Sequence, residues 1–266
     1  MGWPIGHSLS PRVHNYWLKH YGCDGSYEAL AVPPEKLAES LRALSGQGFR
    51  GVSLTIPHKE KALDIVDHIE PLAKRIGAIN TIVVQEEGVL EGRNTDVYGF
   101  TQNLLASGVN MKNKVATILG AGGGARAVIV ALLDMGVHEI HLINRTEQKA
   151  EDLARQLGGV IKVTAWRDYK TALKKAELLV NTTPLGMQGQ PALDVSLENL
   201  PRSAAVTDIV YAPLTTPLLK EARLRGHKAI DGLGMLLYQA QPAFAAWFGK
   251  TPEVTTALRN HVLGDQ

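Results

Sequence analysis

Residues 114–146, KVATILGAGGGARAVIVALLDMGVHEIHLINRT, decide the fold. They open with a short apolar run, VATIL, of the kind that forms a buried strand. The glycine cluster Gly120-Ala121-Gly122-Gly123-Gly124 breaks that run, and ARAVIVALLDMG follows with the composition of a buried helix. A second strand-like run, EIHLI, closes the block. Strand, glycine turn, helix and strand within about thirty residues is the opening unit of a dinucleotide-binding α/β fold. The spacing Gly120-x-Gly122-x-x-Ala125 fits that unit position by position. The first glycine permits the tight turn. The second lets backbone N–H groups approach a pyrophosphate, and the small third residue allows close packing of helix on strand. A glycine-rich turn that merely packs tightly is the alternative.

The end of the second strand bears on the cofactor. A site for NAD usually ends this strand with a carboxylate that accepts the ribose hydroxyls. Here Asn144-Arg145-Thr146 stands in its place, with Lys149 one turn further on. A guanidinium and a hydroxyl can bind a 2′-phosphate through charge-assisted hydrogen bonds, whereas a carboxylate would repel it. NADP is therefore expected rather than NAD, unless Arg145 is simply a solvated surface residue.

Outward from this block, strand-like and helix-like segments alternate throughout, which is the α/β pattern. Upstream, PRVHNYWLKHYG reads as a helix, YEALAV as extended, and PEKLAESLRALSGQG as a helix. GVSLTI reads as a strand with a helix following from Pro57, and NTIVVQEEGVLEGRNTD as a hairpin around Glu87-Gly88 with a helix from about Asp96. Downstream, strands are expected at VIKVTAW, ELLVNTTP, AAVTDIVY and HKAID, and helices at GMLLYQAQPAFAAWFG and PEVTTALRNHVL. The expected organisation is an N-terminal α/β domain over 1–101, completed by the helices of 233–266, and a Rossmann-like domain over 102–232, with a cleft between them.

Composition narrows the function. The 266 residues are 45% hydrophobic and 20% charged, ordinary for a soluble globular protein with a real core. A net charge of +2 with no basic block argues against a nucleic-acid partner. The longest apolar run, Ala127 to Leu133, is too short to span a bilayer, so no membrane partner is expected. One cysteine, Cys23, excludes an intrachain disulfide and a thiolate metal cluster and fits a reducing cytoplasm. His7, His14 and His58 lack metal-ligand spacing, and no metal is expected. No signal peptide is recognised, and MGWPIGHSLSP reads like the tail of a strand whose earlier residues are missing.

The stretch RGVSLTIPHKEKALDIV, residues 50–66, carries the second signal. An apolar strand delivers Thr55 and then, past Pro57, Lys59 at the start of the expected helix. A lysine there faces the positive end of the macrodipole, an unfavourable place for it. Lys59 is either one of several solvated lysines or a residue with a task.

Six motifs in order bear on that choice: GHSLSPRVHN, SLTIPHKEKAL, GAINTIV, GRNTDVYGF, GAGGGAR with NRT, and DGLGMLLYQAQPAF. Through them the sequence resembles the shikimate dehydrogenase family over essentially its whole length. The resemblance implies NADPH-dependent, reversible reduction of 3-dehydroshikimate to shikimate, in the pathway to chorismate and the aromatic amino acids. It implies Lys59 and Asp96 as the catalytic pair, Ser8 and Ser10 on the substrate carboxylate, and Thr55, Asn80 and Gln239 on the ring hydroxyls. Tyr211 would line the same pocket. Gly120, Ala121, Gly122, Gly123 and Gly124, with Asn144, Arg145 and Thr146, would bind NADP, and Ile209 and Gly232 would border its nicotinamide end. Two departures stand out: Arg93 in GRNTD, where the family often has Asp, and SLT in place of the more frequent NVT.

The residue types suit the chemistry independently. Hydride reduction of a ring ketone builds negative charge on the carbonyl oxygen, so a proton donor must sit beside it. A lysine held as an ammonium is both donor and point charge. The reverse reaction needs a neutral amine and should gain from alkaline pH. Read alone, Ser8 and Ser10 could be only a turn and cap before Pro11, Asp96 only a helix N-cap, and Gln239 part of an amphipathic face. Rival functions are a quinate/shikimate dehydrogenase that prefers NAD, a folate-linked dehydrogenase of related fold, and a non-catalytic sensor of pathway metabolites. The oligomeric expectation is a monomer or homodimer.

Overall fold

The structure is a computed structural model that describes residues 1–264. Contacts divide the chain into two compact units, Met1–Gly99 with the chain from Leu236 onward, and Phe100–Met235.

In the first unit helix α1, Ser10–Tyr21, has Pro11 in its first turn and ends on Gly22 in the left-handed conformation. Val13, Trp17 and Leu18 form its buried face. The next segment, expected as one helix, is broken into a 3-10 turn at Pro34–Lys36, helix α2 at Leu37–Arg42 and a second 3-10 turn at Ser45–Gln47. The expected strand at YEALAV is reduced to a single bridge between Gly2 and Ala31. Strand β1, Gly51–Ser53, is followed by β2 (His68–Ile69), helix α3 (Pro71–Ile76), β3 (Thr81–Val84), β4 (Leu90–Arg93) and helix α4 (Asp96–Ala106). The sheet order is β1-β3-β4-β2, with β2 parallel to β4 and the other pairs antiparallel. The β3–β4 turn is the expected hairpin, with Glu87 and Gly88 at φ 58° and 79°. Leu37, Leu41, Val52, Leu54, Ile79, Ile82 and Leu90 fill the core beneath it.

No α-helix follows Pro57. Residues 57–60 form turns, and the next element is a 3-10 turn at Lys61–Asp64. The reason is a competing partner: the Ile79 N–H takes the Lys59 carbonyl at 2.8 Å. A helix would have kept that carbonyl for its own ladder. The expected macrodipole at Lys59 therefore does not exist.

The second unit alternates as the sequence suggests. It contains β5 (Val115–Leu119), α5 (Gly123–Asp134), β6 (Glu139–Ile143), α6 (Glu147–Leu157), β7 (Ile161–Thr164), α7 (Tyr169–Leu173), β8 (Leu178–Asn181), β9 (Ala205–Asp208), α8 (Pro217–Leu224) and β10 (Lys228–Ile230). The six strands are all parallel, in the order β10-β9-β8-β5-β6-β7. Every residue of β8 and β9 is buried, as strands covered on both faces must be. That explains why these runs read as continuous apolar stretches rather than alternating ones.

Helix α9, Gly232–Phe248, contains the division between the units, as does α4, and α10 (Thr256–Leu263) ends the described chain. In the first unit the Trp247 indole of α9 donates to the Ile82 carbonyl at 2.9 Å. Any side chain at Gly51 would collide with that indole, which is why β1 starts on a glycine. Arg12 of α1 donates to the Val262 carbonyl of α10 at 3.0 Å. Among the described residues no helix is long and apolar enough to cross a membrane.

Candidate active site

The extended chain beyond β1 sets Thr55 and Lys59. Leu54 N–H donates to the Asn80 carbonyl at 2.7 Å and Thr55 N–H to the Met1 carbonyl at 3.0 Å. The turn at Pro57 then brings Lys59 round, fixed at its carbonyl by Ile79. His58, which lacks metal-ligand spacing, is wholly buried with its Nε2 at 2.8 Å from the Val32 carbonyl.

Lys59 Nζ lies 2.5 Å from Asp96 Oδ2, with side-chain exposures of 16% and 6%. Taking two charges this far out of water is costly, and is offset only where geometry is close and the remaining polar atoms are satisfied. They are. Asp96 Oδ1 accepts from Asn80 Nδ2 at 2.8 Å. Asp96 also stands in the first turn of α4, where the helix dipole favours a negative charge. It is not acting as an N-cap: the Asp96 N–H is itself taken by Asn94 Oδ1 at 2.9 Å, and the carboxylate faces Lys59 and Asn80. Lys59 is not a solvated lysine either.

Asn80 is the hub. Its Nδ2 also donates to Thr95 Oγ1 at 2.9 Å, and lies 3.3 Å from Gln239 Oε1. Two hydrogens cannot serve three acceptors equally, and the longest contact is the one a ligand could most readily replace. The Asn80 Oδ1 accepts from the Thr95 N–H at 2.8 Å and Thr81 Oγ1 at 3.0 Å, which fixes the amide orientation. Gln239, on α9, donates to the Leu236 carbonyl at 3.0 Å and accepts from Thr95 Oγ1 at 3.2 Å. Lys59, Asn80, Asp96 and Gln239 thus form one polar cluster of the first unit. Thr95 belongs to it and was missed, although GRNTD spelled it out beside Asp96.

Ser8 and Ser10 stand at the entrance to α1. Ser8 Oγ accepts from the Ser10 N–H at 3.3 Å, and the Leu9 N-cap makes no side-chain bond. Among the described residues no hydrogen bond joins either serine to the Lys59 cluster, but the same N-terminal segment lies against Thr55: a Cβ on Gly2 would strike the Thr55 methyl group. Arg93, the departure from the family pattern, pairs with Glu91 through both Nε and Nη2 at 2.9 Å. That pair lies within β4, while the motif's Asp96 pairs with Lys59.

In the second unit, Gly120 has φ +108°, a conformation that favours glycine, and a Cβ there would sit 2.6 Å from Thr182 Oγ1. Its N–H donates to the Ile143 carbonyl at 2.8 Å, so Gly120 and Asn144 lie at the same end of adjacent strands. A Cβ on Gly122 would meet nothing within 4 Å. Gly122 is also the N-cap of the twelve-residue α5 and makes no side-chain cap bond. Open space over uncapped helical N–H groups, with Ala121, Gly123 and Gly124 beside them, fits a pyrophosphate. Asn144 Nδ2 donates to the Thr146 carbonyl at 2.8 Å, while Arg145, Thr146 and Lys149 are exposed. Thr146 N-caps α6 without using its hydroxyl, which stays available to a phosphate. Ile209 packs between two glycines: a Cβ on Gly124 would lie 2.7 Å from Ile209 Cδ1, and one on Gly232 would lie 2.5 Å from the Ile209 carbonyl oxygen. Tyr211 follows two residues on and is half-buried. Among the described residues no group of side chains could hold a metal ion.

Three family models match the chain: the shikimate dehydrogenase substrate binding domain over residues 1–82, shikimate/quinate 5-dehydrogenase over 103–187, and the shikimate 5′-dehydrogenase C-terminal domain over 232–259. The shikimate dehydrogenase (NADP(+)) of Paramagnetospirillum magneticum is 52% identical over 266 residues, covering 99% of this chain and 96% of that one. The shikimate 5-dehydrogenase of Thermus thermophilus, solved in complex with NADP(H) and shikimate, superposes with a TM-score of 0.86 at 42% identity, over 95% of this chain and 93% of that one. The quinate dehydrogenase of Corynebacterium glutamicum, solved with NAD, gives a TM-score of 0.90 at 29% identity, over 98% and 96%. The backbone therefore does not separate the two activities.

Proposed function

This chain belongs to the shikimate dehydrogenase family, and on that premise we infer that it reduces 3-dehydroshikimate to shikimate, reversibly, with NADPH. One observation carries the inference most directly: the partly buried Lys59–Asp96 pair, held by Asn80. An ammonium kept in place by a carboxylate is ready to protonate an oxygen on which charge develops.

The roles follow from the surroundings. Lys59 donates its proton to the ketone oxygen as it becomes an alcohol, and in the reverse direction takes it back. Asp96 holds the ammonium and accepts from a neighbouring ring hydroxyl. Asn80, Gln239 and Thr55 offer donors and acceptors to the remaining hydroxyls. Ser8, just before α1, and Ser10, its first residue, bind the substrate carboxylate, and Tyr211 of the second unit is the remaining residue assigned to the substrate. Because the Asn80–Gln239 contact is the long one, at 3.3 Å, a substrate hydroxyl can replace it at little cost.

The second unit, Phe100–Met235, carries the NADP domain, which we assign to about residues 102–232, and the first carries the substrate domain, completed by the helical chain from 233 onward. When bound, NADPH supplies the hydride. Gly120 to Gly124 hold its pyrophosphate over α5, Asn144, Arg145, Thr146 and Lys149 read its 2′-phosphate, and Ile209 with Gly232 borders its nicotinamide end. The absence of a carboxylate at the end of β6 favours NADP over the NAD bound by the quinate enzyme. The protein works in the cytoplasm, as a monomer or homodimer, without nucleic-acid or membrane partners. The direct test is oxidation of NADPH, followed by its absorbance, with 3-dehydroshikimate. Turnover with NADPH that exceeds turnover with NADH is expected; no turnover with 3-dehydroshikimate under either cofactor would overturn the reading.

A further inference from the structure

The second unit contains a buried carboxylate for which the mechanism has no use. Asp208, the last residue of β9, is 0% exposed. Among the described residues no lysine, arginine or histidine forms an ion pair with it. Its charge is met by three neutral donors instead: Asn181 Nδ2 at 3.0 Å and the Val210 N–H at 3.0 Å on Oδ1, and Thr216 Oγ1 at 2.7 Å on Oδ2. Burial outweighs these bonds and pushes its pKa up to about 6. A group so costly to bury calls for a reason.

The reason lies in what the donors belong to. Asn181 ends β8 and ties the segment after it: its Oδ1 accepts from the Thr183 N–H at 3.0 Å and Thr183 Oγ1 at 2.7 Å, and its Nδ2 also reaches the Leu185 carbonyl at 3.2 Å. Thr182, in that segment, donates through Oγ1 to the Leu119 carbonyl at 2.7 Å and leaves no room for a side chain on Gly120. On the other side, Val210 directly follows Ile209, which leaves too little room for a side chain on Gly124 or on Gly232. The Ile209 N–H also donates to the Asn181 carbonyl at 3.1 Å. One carboxylate therefore joins the two segments that flank the glycine turn at its start and at its helix.

We propose that Asp208 is a positioning residue for the dinucleotide site, tying the Asn181–Leu185 segment to Ile209 and Val210 so that both walls of the glycine turn keep their place. The proposal rests on reading that turn as the NADP site. It separates the two oxygens by task. Oδ1 holds the walls, through Asn181 and Val210. Oδ2 serves Thr216, the N-cap of α8, whose Oγ1 accepts from the Leu219 N–H at 3.3 Å.

The test is fluorescence titration of NADPH into the wild-type protein and into Asp208→Ala, Asp208→Asn and Thr216→Val, with shikimate affinity and Tm measured on each. Asp208→Ala should weaken NADPH about tenfold or more, with shikimate affinity in the other unit unchanged. Asp208→Asn keeps an oxygen for Asn181 and Val210, and should recover NADPH binding to within about threefold of wild type. Thr216→Val should lower Tm and leave NADPH affinity near wild type. A merely structural role predicts instead that Tm falls in all three while the folded protein binds NADPH equally well, and that result would overturn the proposal. So would Thr216→Val weakening NADPH as much as Asp208→Ala. Should Asp208→Ala fail to fold, Asn181→Ala cuts the same tie from its other end and is read the same way. If the wild-type protein itself binds no NADPH, the functional reading falls and takes the proposal with it; if it binds and Asp208→Ala binds as tightly, the proposal alone falls.

Discussion

Acid should destabilise this protein through one residue of α1. His14 is 0% exposed, stacked on Tyr27 at 4.3 Å between ring centroids, with Trp17, Phe244 and Trp247 also around it. Neither ring nitrogen has a hydrogen-bond partner among the described residues. Burial lowers its pKa from 6.5 to about 3. Between those values the unfolded chain binds a proton at this position and the folded one does not, so stability rises with pH across the window and is lost as pH falls through it. At 1.36 kcal/mol per unit, the loss is about 2 kcal/mol by pH 5 and approaches about 5 kcal/mol at pH 3. That is a large part of the total stability of an ordinary domain. His14→Phe keeps a flat ring in the aromatic cluster, removes the titrating group and sacrifices no hydrogen bond. Urea unfolding of both proteins at pH 7.5, 6, 5 and 4 isolates the residue, because other groups cancel in the difference. Asp208, whose folded pKa is raised, works in the opposite sense and cancels likewise. The stability gap between His14→Phe and wild type should widen steadily in favour of Phe below pH 6.5. A gap constant from pH 7.5 to 4 would refute a neutral, wholly desolvated His14.

Two further predictions concern the ligand sites. Arg145→Ala should weaken NADPH by about 1.5–3 kcal/mol, roughly 10- to 150-fold, and leave NADH nearly unchanged in parallel titrations; equal weakening of both would show that Arg145 does not read the 2′-phosphate. Replacing Ser8 and Ser10 together by Ala should raise the KM for shikimate while NADPH affinity, titrated directly, stays constant. An unchanged KM would remove the serines from the carboxylate site.

What the sequence made legible divides along physical lines. The second unit is readable because each of its features is local: a buried strand is a continuous apolar run, and the glycine turn has its characteristic spacing, with a steric requirement for glycine at Gly120. The β3–β4 hairpin was readable for the same reason, through Glu87-Gly88. The stretch after Pro57 has a helix-like sequence but no helix, because what prevents one there is not local. Ile79, twenty positions beyond Lys59 in the chain, takes the carbonyl the helix would need. YEALAV has the composition of a strand, but only Ala31 finds a bridging partner. The motifs named Lys59, Asn80, Asp96 and Gln239 singly; periodicity could not have shown that they share one hydrogen-bonded cluster. Thr95 and Asp208 went unnoticed because a polar residue at a strand or helix end reads as solvated, and only burial shows otherwise.

The central claim is that Lys59 and Asp96 act as a unit on the substrate oxygen, although 37 positions separate them in the chain. The most direct measurement is the steady-state rate of NADPH oxidation by 3-dehydroshikimate for Lys59→Ala, Asp96→Asn and the double variant, with substrate Kd from titration. Loss of the proton donor should cut kcat by roughly 10²–10⁴, about 3–5 kcal/mol of transition-state stabilisation, with a smaller change in Kd. Asp96→Asn should also be slow, since the amide keeps the shape and loses the charge that holds the ammonium. The double variant should be little worse than the poorer single one. Additive losses would mean independent roles, and near-normal kcat in Lys59→Ala would contradict the account outright.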